Sequence, residues 1–76
     1  MTADRSIVTV RQAQDAGTEA AYADAAAGQD PAAYYGQTHA PSDLVPANLR
    51  GVRAGDYNLG IEWARAYCLT MIRIAG

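Results

Sequence analysis

Phenylalanine and lysine are missing from this 76-residue chain, and cysteine, histidine and tryptophan occur once each. A single cysteine excludes an internal disulfide, the staple small secreted domains use, so stability has to come from burial or from association. A single histidine with no second ligand at helical or loop spacing excludes the usual zinc arrangements, and no metal or cofactor is expected. The opening residues carry no basic, apolar, small-residue signal pattern, which favours a cytoplasmic or virion-associated location. No internal repeat is present. Six arginines against eight acids give a formal charge of −2. That balance argues against a phosphate-neutralising surface, so nucleic acid is not the expected partner.

What the chain does have is one concentrated apolar stretch, residues 58–75. Leu59, Ile61, Trp63, Ala64, Ala66, Tyr67, Cys68, Leu69, Met71, Ile72, Ile74 and Ala75 stand there among few polar positions. On a helical period Glu62, Arg65 and Arg73 align with Leu69 as a narrow polar stripe, and the rest of the circumference is apolar. The spacing therefore predicts a helix buried on several sides. Asp56 and Asn58 are both suited to cap its start, with Glu62 near the positive end of the dipole, and Arg73 and Gly76 suit its end. A membrane span is excluded, because it needs about 20 mostly apolar residues and this run is interrupted by three charges.

The remainder reads as one small domain in four parts: an arm at 1–10, an Ala-rich helix at 11–27, a connector at 28–55 and the apolar helix at 56–75. Ile7, Val8, Thr9 and Val10 are all β-branched, which suits a short strand, but Thr9 and Gln12 also fit a capping box that would start a helix. In the Ala-rich helix, Gly17 is a weak point costing about 1 kcal/mol relative to Ala. Ala13, Ala16, Ala20, Ala23 and Ala27 form a smooth seam that a second helix could approach closely. Gly28 ends that helix, and Asp30-Pro31 restarts a single turn that presents Tyr34 and Tyr35. In the connector, Pro41, Pro46, Gly51 and Gly55 break up Leu44, Val45, Leu49 and Val52. A connector this long with four aliphatics is expected to lie against something. The expected fold is therefore mainly α: two helices, a long irregular connector and a possible short N-terminal strand, completed by partner chains.

No catalytic set can be assembled. Cys68 lies mid-helix between Tyr67 and Leu69, an apolar setting that suits a structural thiol rather than a nucleophile. His39 sits in a loop beside Pro41. Asp15 and Glu19 share one helical face with Arg11 and read as a solvated acidic stripe. Arg50 and Arg53, on the loop before the apolar helix, suit a salt-bridge contact with an acidic neighbour more than an anion site, since no phosphate-loop pattern surrounds them.

The aromatics are all amphipathic, five Tyr and one Trp, a type enriched at interfaces. These features lead to a non-catalytic structural or accessory subunit, a virion component or a small subunit of a multiprotein complex, bound to a protein partner or to copies of itself in an oligomer. Its expected interface residues are Leu59, Trp63, Tyr67, Met71, Ile72 and Ile74, with Tyr34, Tyr35, Arg50 and Arg53. The alternative is a small antitoxin-type regulator that dimerises and binds a partner protein. The order of a β-branched run followed by Val10-Arg11-Gln12-Ala13 resembles such proteins, although their further strands are missing here and the charge is wrong for DNA.

Overall fold

The computed structural model describes residues 9–76. The chain is mainly helical, with an irregular connector between its helices and a small hairpin before the second. Helix α1 spans Val10–Ala26 and helix α2 spans Leu59–Ala75. Between them come single 3₁₀ turns at Pro31–Tyr34, Ser42–Leu44 and Ala47–Leu49, and the antiparallel strands β1 (Arg53–Ala54) and β2 (Tyr57–Asn58).

Local chemistry sets these boundaries. Thr9 and Gln12 form the reciprocal capping box, so Val10 opens α1, and of the two readings of residues 7–10 the helical one holds for the described part. Ile7 and Val8 lie outside the described residues. Asp30 caps the turn begun by Pro31 by accepting from the Ala32 N–H at 3.1 Å. At α2 the cap is Asn58 rather than Asp56, with its Oδ1 accepting from Ile61 N–H at 3.2 Å. Asp56 instead shares the hairpin tip with Gly55, whose φ of 61° at the first central position is the mark of a type II′ turn.

The two helices pair in the same sense. Gln14 meets Glu62 and Thr18 meets Thr70, so contacts climb both helices together. Short loops join antiparallel neighbours, whereas a parallel pair requires the chain to travel back the length of the first helix. Residues 27–58 make that return. They are fastened to α2 on the way: Ala40 N–H donates to Ala64 O at 3.0 Å, Leu59 N–H donates to Val52 O at 2.8 Å, and Val45 and Leu49 are buried. Two of the connector's four aliphatics thus serve as pins, while Leu44 and Val52 stay exposed.

The seam of α1 differs from the expected one. Ala13, Gly17 and Ala21 are its buried positions, with Ala16 and Ala20 half-buried and Ala23 and Ala27 exposed. Gly17 is no breaker: a Cβ there would stand 2.3 Å from the Trp63 carbonyl oxygen, so α2's backbone crosses directly over it. Around that crossing lie Leu49, Leu59, Trp63, Tyr67 and Met71, which with the small residues of α1 make the core.

Candidate docking surface

Helix α2 has more apolar surface than the other described residues cover. Its inner side is buried against α1 and the connector, but Ile61 stays 47% exposed and Leu69 52%. These two stand eight residues apart, with Arg65 midway and Arg73 four residues beyond Leu69, so they share one outward stripe. Ile72, half-buried, stands one turn beyond Leu69, and Ile74 near the chain end is 37% exposed.

The structure divides the expected interface residues. Leu59, Trp63, Tyr67 and Met71 belong to this chain's own core, each less than 5% exposed, and are not presented to a neighbour. The reason is α1, whose small residues let α2 come close enough for its large side chains to be covered without a partner. Trp63 stacks on Tyr67, ring centroids 5.2 Å apart, and half-buried Tyr34 meets Tyr67 edge-on at 5.6 Å. Ile72, Ile74 and Tyr35 keep accessible surface. Arg50 donates through Nε to Val45 O at 2.9 Å and through Nη2 to Asp43 O at 3.1 Å, and Arg53 donates to Asp56 O at 3.0 Å. Both arginines therefore brace their own loops.

Three polar contacts between the helices were not anticipated. Glu62, placed on the narrow polar stripe, is only 7% exposed, accepts from Gln14 Nε2 at 3.0 Å and pairs with Arg65 at 3.5 Å. Thr70 donates to Thr18 at 3.4 Å, and the Tyr67 hydroxyl donates to Asp24. Burial first, then hydrogen bonds to Asp24 and Tyr34, pushes the Tyr67 phenol far above its ordinary value, so it stays protonated. No signal in the sequence pairs residues this distant along the chain. The crossing itself had one, the four-residue spacing of small Ala13, Gly17 and Ala21, which admits a neighbouring backbone as small-residue spacings do elsewhere.

Two open grooves flank the stripe. One, of about 440 Å³, runs between the helices, with Gln14 and Thr18 on one wall and Glu62, Leu69, Thr70 and Arg73 on the other. The second, of about 500 Å³, lies between the connector and the start of α2, floored by Ala40, Val45, Gly60 and Ala64 and reaching Ile61. Cys68 is fully buried, and that burial raises its thiol pKa, the opposite of what a nucleophile requires. His39 is exposed and hydrogen-bonds its neighbour Thr38 at 2.8 Å. Among the described residues no group of three or more His, Cys, Asp or Glu could hold a metal ion, and no helix is long and apolar enough to cross a membrane.

No protein-family model, curated protein or solved structure matches this chain.

Proposed function

We propose that this protein is a non-catalytic accessory or structural subunit, in a virion or in a cytoplasmic multiprotein complex, that docks through the outward stripe of α2. The observation that carries the reading is the half-exposed pair Ile61 and Leu69 on a helix whose inner face is already covered by the chain itself. Full burial of a large aliphatic is worth roughly 1.5–3 kcal/mol, and with each of these two already about half covered a docked neighbour would recover roughly half of that per side chain. Tyr22, Tyr35 and Tyr57, each more than half exposed, add the amphipathic aromatics interfaces favour. A non-catalytic role is supported by the buried state of the lone thiol and the exposed, loop-borne position of the lone imidazole.

The stripe is tested by light scattering on the isolated chain at low salt and at about 1 M salt, where charges are screened beyond about 3 Å. Wild-type chain is expected to self-associate at high salt, where only the apolar part of the stripe remains felt. Leu69→Asp should stay monomeric with an unchanged melting curve. A wild type that remains monomeric in both conditions, indistinguishable from the variant, overturns the reading.

A further inference from the structure

The outward stripe of α2 selects its occupant by charge. Among the described residues the Arg73 guanidinium makes no hydrogen bond or ion pair, and Arg65, paired only with Glu62, keeps its side chain 54% exposed. Both lie four residues from Leu69, one on each side. Suppose a second copy laid its own α2 antiparallel on this stripe, centred on Leu69. Arg65 of one copy would then oppose Arg73 of the other, and a parallel arrangement would set each arginine against itself. Like charges facing each other across an apolar contact are strongly unfavourable, so the stripe opposes self-pairing while presenting its aliphatics. The inter-helix groove beside it has Arg65 and Arg73 on its rim, and its one carboxylate, Glu62, is already engaged by Gln14 and Arg65.

Resting on the docking role given above, we infer that the occupant is an amphipathic helix of a different protein, with an aliphatic seam to cover Ile61 and Leu69 and carboxylates flanking that seam to meet Arg65 and Arg73. The chain's net charge of −2 makes this basic stripe a local feature rather than part of a general anion-attracting surface. Arginine suits the role because its planar fork holds a carboxylate through two parallel hydrogen bonds and desolvates more readily than an ammonium.

The test uses two fluorescent synthetic peptides, each about three heptads long, with Leu at the seam and either Glu or Lys on both flanks. Anisotropy titrations with the full chain at low salt should show the Glu peptide binding roughly tenfold or more tighter than the Lys peptide, and weakening as salt rises. Arg73→Glu should lower Glu-peptide affinity roughly tenfold and improve Lys-peptide affinity, with the same far-ultraviolet spectrum as wild type. Arg65→Gln, which avoids a second acid beside Glu62, gives an independent variant expected to weaken only the Glu peptide. Equal binding of both peptides, preference for the Lys peptide, or binding of neither overturns the inference, as does equal capture of a DNA duplex. The high-salt self-association lost in Leu69→Asp is carried by the aliphatics alone, with the arginines screened. Its success beside a failed peptide titration would keep the docking stripe and remove its acidic occupant.

Discussion

Gly17 shows how one residue can reverse the usual sign of a substitution. In an exposed helix interior, replacing Gly by Ala stabilises by about 1 kcal/mol. Here the added methyl would sit 2.3 Å from the Trp63 carbonyl oxygen and 3.1 Å from its carbonyl carbon, backbone atoms that cannot rotate aside. The helices would have to separate, which loosens contacts along the whole crossing and costs about 1–3 kcal/mol in overpacking. The expected net result for Gly17→Ala is a loss of up to about 2 kcal/mol, read as a melting temperature lower by up to roughly 15 °C; a raised one would show that the helices do not meet there. Tyr67 makes the second case. Its phenol has an ordinary pKa of 10.0 and is held well above it in the fold by burial and by the Asp24 and Tyr34 hydrogen bonds. The folded state therefore binds this proton more tightly than the unfolded chain does. The associated stability is complete below about pH 10 and declines as pH rises beyond it, since only the unfolded phenol can ionise freely. Denaturant melts of wild type should weaken steeply above about pH 10, and Tyr67→Phe, about 1 kcal/mol less stable at neutral pH through the lost hydrogen bond, should weaken less. Parallel pH profiles for the two would contradict the assignment.

At the scale of elements, much was legible in the sequence because it is local. The mainly helical architecture, the Thr9 capping box, the Asp30-Pro31 turn and the end of α1 near Gly28 each rest on side chains within a few residues of the backbone they satisfy. The hairpin at 53–58 escaped notice because strands of only two residues leave no alternating pattern. What periodicity cannot supply is the direction from which a partner element arrives. The α2 circumference is apolar nearly all round, so the pattern alone could not say which arc the chain would cover and which it would leave. It set Glu62 on the polar stripe and Trp63 at a neighbour, and the fold buries both inside the chain: Glu62 faces α1 beside Gln14, and the Trp63 backbone rests on Gly17. The deciding fact is the small-residue row Ala13, Gly17 and Ala21, since only a helix with almost no side-chain bulk on that row lets the Trp63 backbone approach so near. Arg50 and Arg53 remain exposed, and the bonds they make to carbonyls of their own loops were not legible in the sequence, because a loop has no period from which such a bond can be read.

At the scale of the whole molecule, α2 is the element on which the other described elements converge. Helix α1 crosses it at Gly17, the connector is fastened to it at Ala64 and Leu59, and the Tyr34–Tyr67–Trp63 cluster ties the first 3₁₀ turn to its middle. No part of the described chain has a core that excludes this helix, since Leu59, Trp63, Tyr67 and Met71 supply most of the buried bulk, with Leu49 and Val45 of the connector packed in the same cluster. Loss of α2 should therefore be loss of the fold, and the molecule should unfold in one cooperative step. Cys68 reports on that step, being fully buried at the centre of α2 and the only thiol. A disulfide reagent can reach it only when the helix leaves its site. Thiol labelling under native conditions, in the regime where closing outpaces labelling, should give an opening free energy equal to the unfolding free energy from a denaturant melt, within the roughly 10–15% uncertainty of the extrapolation. Gly17→Ala should lower both by the same amount. Labelling much faster than the melt allows would mean that α2 detaches while α1 and the connector remain folded, which a single core shared by all three does not permit.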